Sequence, residues 1–178
     1  YWKRTDAKRA EGRKMLGVAD TDFVVLGVGQ LQARKGVEDF MDVAKAIPNA
    51  KFVWAGGRPF GAWTEGIQRI NHRIEQLQSS NIQFTGMLNL DEMPLVYAAA
   101  DLMLFPSYQE NCPLAPIEAA ACGMPVVFRN LPEYASLYES DYLKANNTEE
   151  FIQLTNKMMA YPEQLKIGRI ISENLIKQ

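Results

Sequence analysis

The stretch Leu102-Met-Leu-Phe-Pro-Ser-Tyr-Gln-Glu110-Asn-Cys-Pro-Leu-Ala-Pro-Ile-Glu118-Ala-Ala-Ala-Cys-Gly123-Met-Pro-Val-Val decides how this chain folds. Its first apolar run predicts a strand, and its prolines after Cys112 are tolerated only near the first turn of a helix. Gly123 then ends that helix, and another apolar run follows. The stretch therefore predicts a strand, a loop, a helix and a strand, with Glu110 in the loop and Glu118 inside the helix.

The start of this helix, between the two glutamates, is a predicted anion site. The backbone N–H groups of Leu114 and Ala115 have no partner within the helix and lie at its positive end. An anion fits these amides, and a carboxylate on each side can accept hydrogen bonds from hydroxyl groups. Because Pro113 has no N–H, the anion contacts are expected from Asn111, Leu114 or Ala115. A diphosphate flanked by two polyhydroxy rings, as in a nucleotide-sugar, has the matching shape.

Outside this stretch, apolar runs rich in β-branched residues alternate with helical patterns. The predicted strands are 22–28, 51–55, 81–85, 102–105 and 125–128, with a weaker candidate near 142–144; the predicted helices are 37–47, 64–78, 91–100, 114–122, 148–160 and 162–175. Such alternation indicates βαβ units and an α/β fold, a Rossmann-like doubly wound parallel sheet. Ligands of these sheets bind beyond the carboxyl ends of the strands, where the glycine loops and Glu110 are expected.

Six landmarks along most of the chain resemble, in order, those of family 4 of the retaining GT-B glycosyltransferases, which carry an E-x7-E motif. These are Val28-Gly29-Gln30-Leu31 with Arg34-Lys35-Gly36, Phe52-Val53-Trp54-Ala55-Gly56-Gly57, Phe84-Thr85-Gly86, Tyr97-Ala98-Ala99-Ala100-Asp101, Phe105-Pro106-Ser107, and Glu110 to Glu118-Ala119. The resemblance implies one donor-binding domain over residues 1–178, the C-terminal half of a two-domain enzyme. Residues 1–20 would lead in, 21–145 would carry the sheet and donor site, and 146–178 would form C-terminal helices. The acceptor-binding N-terminal domain is expected to be absent.

The resemblance also implies roles for individual residues. Glu110 is the expected catalytic residue, in contact with the sugar hydroxyls, and Glu118 is expected to bind the ribose hydroxyls. Where the family has an arginine after the first glycine this chain has Gln30, so the cations of the phosphate loop are Lys35 and Arg34. Both can bind diphosphate, Lys35 as a point charge and Arg34 as a fork. The implied donor-binding set is Gly29, Gln30, Arg34, Lys35, Gly57, Gly86, Asn111, Cys112, Leu114, Ala115 and Glu118.

Gly57 and Gly86 are assigned to the nucleobase end of the donor, where backbone groups can bind a base edge. The alternative is that these glycines only permit tight turns. The only histidine, His72, is predicted on the surface of a polar helix, and Asp101 is predicted to cap or turn the chain before a strand.

The acceptor is suggested by a narrower resemblance. Segments 29–36 and 52–61, together with Phe128-Arg129-Asn130-Leu131 and Tyr134, look similar to bacterial family 4 enzymes that glucosylate diacylglycerol. This implies a UDP-glucose-like donor, a membrane lipid as acceptor, and a cytoplasmic protein peripheral to the inner face of the membrane. The alternatives are a polysaccharide, protein or other soluble acceptor, or a non-catalytic nucleotide-binding or regulatory domain. A dinucleotide-binding module is disfavoured because Gly27-Val-Gly29-Gln-Leu-Gln32 lacks the last glycine of its fingerprint.

Composition excludes several other classes of protein. The net charge of −2 argues against nucleic acid as a partner, and no apolar stretch reaches the ~20 residues of a membrane span. Cys112 and Cys122 are too few for a disulfide scaffold, and no Cys/His cluster suggests a metal. No cofactor or metal is therefore expected, and Lys35 with the helix start would offset the diphosphate charge.

Residues 3–16 predict a basic helix. Its charges are Lys3, Arg4, Lys8, Arg9, Arg13 and Lys14 against Asp6 and Glu11. One interpretation is a solvated surface helix. The other is an electrostatic contact, either with an anionic membrane surface or with the expected missing domain.

Overall fold

The computed structural model describes residues 2–58, 66–77, 81–110, 112–138 and 141–177. Its strands are β1 Val24–Val28, β2 Lys51–Ala55, β3 Ile82–Gly86, β4 Leu102–Phe105, β5 Val126–Arg129 and β6 Leu143–Ala145. Its helices are α1 Asp6–Leu16, α2 Val37–Ala46, α3 Ile67–Gln76, α4 Met93–Ala99, α5 Leu114–Ala121, α6 Pro132–Leu137, α7 Thr148–Ala160 and α8 Pro162–Glu173, with short 3-10 turns at Ala33–Lys35 and Asn174–Ile176. None of the helices in these ranges is long and apolar enough to cross a membrane.

The strands form one parallel sheet in the order β3-β2-β1-β4-β5-β6, which confirms the predicted doubly wound fold. The chain moves outward from β1 to β3 on one side and from β4 to β6 on the other. The order therefore reverses between β1 and β4, where Val25 pairs with Leu102 and Leu26 with Met103. Ligands of such sheets usually bind in a crevice at the carboxyl edge where the strand order reverses, and we call this region between β1 and β4 the crevice.

Both faces of the sheet are covered, so the central strands are apolar along their whole length. Leu26 and Met103 belong to the core on one face, while Val25 and Leu104 belong to the core on the other, and all four are buried. A fully buried side chain of this size contributes about 1.5–3 kcal/mol relative to an exposed one. The buried sheet is thus a rigid scaffold for the loops at its carboxyl edge.

The predicted helices differ from the structure in two places. The prediction of one helix over 64–78 was too long, since α3 runs from Ile67 to Gln76, and residues 64, 65 and 78 lie outside the described part of the chain. The six-residue helix α6 was not predicted at all. It begins with Pro132 in its first turn, which is a recognised helix-start signal, but it is too short to show a helical period.

The basic helix α1 packs against α4, and two of its arginines turn inward together with Arg4, which precedes it. Arg13 and Arg9 contact the two carboxylate oxygens of Asp101 at 2.8 Å and 2.9 Å, and Arg4 approaches it at 3.7 Å. The backbone N–H of Val24 also donates to Asp101. We call these four side chains the arginine cluster (Arg4, Arg9, Arg13 and Asp101). The predicted cap or turn role of Asp101 was incomplete, because it is the shared anion of three cations that were expected to face solvent or a membrane.

Candidate functional site

Two loops flank the crevice and are locked together by backbone contacts. They are the β1 loop, residues 29–36, and the β4 loop, residues 106–110. The carbonyl of Arg34 accepts a hydrogen bond from the backbone N–H of Tyr108 at 2.7 Å, and the Ser107 hydroxyl oxygen lies 3.0 Å from it. Gly36 has a φ of +70°, and a Cβ there would lie 2.2 Å from the carbonyl oxygen of Pro106. Only glycine permits both this backbone conformation and this close approach.

The locked loops bring the predicted phosphate-binding lysine onto the predicted sugar-binding glutamate. Lys35 Nζ lies 2.5 Å from Glu110 Oε1, and the Ser107 hydroxyl donates to the same oxygen at 2.7 Å. The side chains of Lys35 and Glu110 are 17% and 7% exposed. A charge-assisted contact of this length, with little exposure, pairs the charges of the two groups.

Arg129, at the end of β5, contacts two residues of the β4 loop. Its Nε donates to the carbonyl of Pro106 at 2.8 Å, and its guanidinium lies 3.8 Å from the ring centroid of Tyr108. Asp39 on α2 lies 3.2 Å from the same guanidinium and accepts a hydrogen bond from the Tyr108 hydroxyl. Cation–π contact and charge pairing therefore fix the loop that carries Glu110.

Glu118, inside α5, is held by a tyrosine from the neighbouring helix α4. The hydroxyl of Tyr97 donates to Glu118 Oε2 at 2.8 Å, and Tyr97 is fully buried whereas Glu118 is half-buried. Burial, followed by the charge of Glu118, raises the pKa of Tyr97. The phenol therefore remains a hydrogen-bond donor at neutral pH. Tyr97 thus supplies a hydrogen-bond partner for a carboxylate on an otherwise apolar helix.

The start of α5 lies between the two glutamates. The helix begins at Leu114 after Pro113, and no side chain among the described residues caps it. Leu114 is 64% exposed, Cys112 is exposed and Ala115 is half-buried. Asn111 was also assigned to this anion site, and it lies outside the described residues. The amides at this helix start remain candidates for binding an anion between the two glutamates.

The loops after β1, β2 and β3 meet at the other end of the crevice. Trp54 Nε1 donates to the carbonyl of Gly29 at 2.8 Å, and the backbone N–H of Leu31 donates to the carbonyl of Gly57 at 3.0 Å. Gly56 has a φ of +146°, and a Cβ there would lie 2.0 Å from the carbonyl oxygen of Gly29. Gly86 has a φ of +73° and accepts a hydrogen bond from Gly56. Close backbone contact thus requires glycine at position 56, and the positive φ favours glycine at position 86.

Two residues of the predicted set do not join the glutamates. Arg34 is exposed, its Nη1 donates to the carbonyl of Gln109 at 3.3 Å, and it lines a separate cleft beside α2 and α3. Gln30 is exposed and accepts a hydrogen bond from Gln32. Lys35 is therefore the cation of the β1 loop that the structure places beside Glu110.

No group of three or more His, Cys, Asp or Glu side chains within the described ranges could hold a metal ion. The Asp-x-Asp sequence Asp20-Thr-Asp22 precedes β1 at the opposite edge of the sheet, where Asp22 accepts a hydrogen bond from the backbone of Ala19.

His72 is exposed on α3 and pairs with Gln76, as expected for a surface histidine.

Sequence reasoning did not assign Ser107 or Tyr97 to the site. Both lie within the quoted landmarks, in Phe105-Pro106-Ser107 and in Tyr97-Ala98-Ala99-Ala100-Asp101. Each donates a hydrogen bond from a buried hydroxyl to one of the two site carboxylates, Tyr97 to Glu118 and Ser107 to Glu110. Both are polar residues at positions that the apolar pattern of the sequence predicts to be buried. Because buried polar groups are almost always hydrogen-bonded, this pattern could have indicated that each has a nearby partner.

Known proteins resemble this chain in sequence and in fold. The family model described as Glycosyl transferases group 1 matches residues 8–172. The chain is 36% identical over 166 residues to the alpha-galactosylglucosyldiacylglycerol synthase of Streptococcus pneumoniae, a match that covers 93% of this chain and 44% of that protein. It is 33% identical over 149 residues to the processive diacylglycerol alpha-glucosyltransferase of Acholeplasma laidlawii, covering 83% of this chain and 44% of that protein. Its fold matches Anabaena HepE, solved in complex with UDP and glucose, with a TM-score of 0.83 at 21% identity over 99% of this chain and 49% of that one. The chain therefore spans less than half the length of each of these proteins.

Proposed function

Because this chain belongs to the glycosyl transferases group 1 family, we propose that it is the donor-binding domain of an enzyme that transfers a hexose from a nucleoside diphosphate sugar. The observation that carries the proposal is the crevice between β1 and β4. There Lys35 and Glu110 meet at 2.5 Å, and the same stretch continues into the open start of α5 and on to Glu118. A cation, free amides and two carboxylates match the diphosphate and the two polyhydroxy rings of such a donor.

The proposed chemistry assigns each group to one part of the donor. Lys35 and the amides of Leu114 and Ala115 stabilise the negative charge that develops on the leaving diphosphate. Glu110 accepts hydrogen bonds from the hydroxyls of the transferred sugar, and Glu118 accepts them from the ribose. The acceptor hydroxyl then attacks from the face that the leaving group occupies, so the configuration at the sugar is retained. No metal takes part in this scheme, because Lys35 and the helix start offset the diphosphate charge.

Donor binding involves an exchange of partners in this scheme. In the structure the charge of Lys35 is paired with that of Glu110. The diphosphate takes the place of Glu110 beside Lys35, and Glu110 becomes available to the sugar hydroxyls. The hydrogen bond from the Ser107 hydroxyl to Glu110 is kept during the exchange, and it holds the carboxylate of Glu110 at the crevice.

For the acceptor, we propose a diacylglycerol-type lipid at the cytoplasmic surface of a membrane. Two of the similar proteins carry names that specify glycosyl transfer to diacylglycerol or its glycolipids. The segments 29–36 and 52–61, and the sequence Phe128-Arg129-Asn130-Leu131 with Tyr134, support the same assignment. The acceptor would bind on the part of the protein that lies beyond this chain.

The donor proposal is tested by thermal unfolding of this chain with UDP, UDP-glucose, a GDP-sugar and NAD, each with and without EDTA. A ligand at 100 times its Kd stabilises a protein by about 2.7 kcal/mol. We expect UDP and UDP-glucose to raise the melting temperature equally with and without EDTA, and NAD to leave it unchanged. Glu118→Gln tests the site itself, and it should reduce the rise in melting temperature that UDP causes. A shift with NAD alone, or no shift with any nucleotide at millimolar concentration, would contradict the proposal.

The acceptor proposal needs the full-length enzyme. Radiolabelled UDP-glucose is offered with diacylglycerol vesicles, beside soluble sugar and peptide acceptors. We expect label in the lipid fraction. Label that enters only the soluble acceptors would refute the lipid assignment and leave the donor assignment intact.

A further inference from the structure

The contact between Tyr97 and Glu118 joins a buried group to a site residue. Tyr97 lies on α4 and is fully buried, and its hydroxyl donates to Glu118 Oε2 at 2.8 Å. Among the described residues, Glu118 Oε1 has no hydrogen-bond partner. One oxygen of the carboxylate thus accepts a hydrogen bond from a buried residue, while the other is available to a ligand.

Tyr97 is itself held by the segment that precedes α1. The ring of Trp2 meets that of Tyr97 edge to face, with centroids 5.4 Å apart and planes at 88°. The carbonyl of Trp2 accepts a hydrogen bond from the Cys122 thiol, and Arg4 donates to the carbonyl of Ala100 at 3.1 Å, three residues beyond Tyr97. Such aromatic pairs are geometrically specific, so the phenol has little freedom to turn away from Glu118.

A glutamate side chain loses considerable rotamer freedom when it is ordered by a ligand. A carboxylate that is already fixed by a buried donor binds a ligand hydroxyl without that loss. We infer that Tyr97 is a positioning residue that holds Glu118 Oε2 so that the carboxylate meets the ribose hydroxyls of the donor. The inference rests on the proposed function, because it requires a ribose at Glu118. Tyr97 acts through Glu118 and does not itself touch the donor.

The test is calorimetric binding of UDP and of 2′,3′-dideoxyuridine 5′-diphosphate to this chain and to Tyr97→Phe. The two ligands differ only in the hydroxyls that Glu118 would accept. We expect Tyr97→Phe to weaken UDP binding by about tenfold, within the range for hydrogen bonds to charged groups. It should leave the affinity for the dideoxy ligand unchanged, because that ligand makes no hydrogen bond to Glu118.

Tyr134→Phe is the matched control. Tyr134 is also fully buried among aromatic rings, but its hydroxyl has no hydrogen-bond partner among the described residues. Removing that hydroxyl should leave the affinities for both ligands as in the wild type. If Tyr97→Phe does not fold, Trp2→Leu carries the same test, because it keeps the Tyr97 hydroxyl and removes its support. It should cause a smaller loss for UDP and none for the dideoxy ligand.

The outcomes separate this inference from the proposed function. An equal loss for both ligands, or no loss for either, would overturn the role of Tyr97 while UDP binding by the wild type keeps the donor proposal. A wild-type chain that binds neither nucleotide would overturn both. A loss confined to UDP is the result that supports the inference.

Discussion

Two carboxylates at opposite edges of the same sheet are paired in different ways. At the amino edge Asp101 contacts Arg9 and Arg13 and accepts the backbone N–H of Val24. At the carboxyl edge Glu110 contacts one lysine, Lys35, and one hydroxyl. The exposure of the two carboxylate side chains is similar, 10% for Asp101 and 7% for Glu110.

The difference lies in how replaceable the partners are. Arginine binds a carboxylate through a rigid planar fork, and Asp101 is held by two guanidinium groups and a backbone amide. Lysine is a point charge on a flexible stem, and Lys35 belongs to the loop at the crevice. The arginine pairs thus stabilise the fold at one edge, whereas the proposed function has the lysine pair exchanged for a ligand at the other.

Asp101→Ala should give the largest effect, on stability. The substitution leaves the buried guanidinium of Arg13 without its anion, and breaking a buried pair in this way costs about 3–5 kcal/mol. Urea unfolding followed by circular dichroism measures the loss. Glu38→Ala, which removes the pairs with the 65% exposed Arg69 and the 33% exposed Arg73, is the control and should cost about 1 kcal/mol. Equal losses for the two variants would show that the arginine cluster is no more than a surface network.

Lys35→Met should give an intermediate effect, on ligand affinity. Loss of a charged hydrogen-bond partner for the diphosphate costs about 1.5–3 kcal/mol, so UDP should bind roughly 10- to 100-fold more weakly by calorimetry. The free energy of unfolding should fall less than in Asp101→Ala, because Ser107 still donates to Glu110 and no buried guanidinium is left without its anion. Lys45→Met, at an exposed position of α2, should change neither quantity. Unchanged UDP affinity with a large loss of stability would make Lys35 a structural residue like Arg13.

Glu110→Gln should give the smallest effect, and in the opposite direction. If Glu110 competes with the diphosphate for Lys35, its neutral analogue should bind UDP more tightly, by at most about fivefold, the range of a partly exposed ion pair. UDP-glucose should lose this advantage, because a neutral side-chain amide is a poorer acceptor for the sugar hydroxyls than a carboxylate. Calorimetry with the two ligands measures both affinities. Weaker binding of UDP itself would show that Glu110 contributes to nucleotide binding in its own right.

Much of the architecture was predictable from the sequence, because apolar runs between glycine loops define parallel strands. The predicted strands agree with the structure within two residues, and the loops of Lys35 and Glu110 reach the predicted edge. The contact between these two residues was not predictable, since they are 75 positions apart and meet only through the pairing of β1 with β4. The inward turn of the arginines likewise depends on Asp101, which is 88 positions from Arg13. Charge patterns along a helix do not reveal such distant partners.

The close approach of Gly36 to Pro106 has a consequence for altering this protein by design. The β1 and β4 loops share a contact with no space for a methyl group, and both loops depend on the carbonyl of Arg34. A β4 loop transplanted alone from a relative would meet a host loop shaped for another backbone. Residues 29–36 and 106–110 therefore form one unit of exchange, and a graft intended to change the proposed donor specificity should carry both segments together.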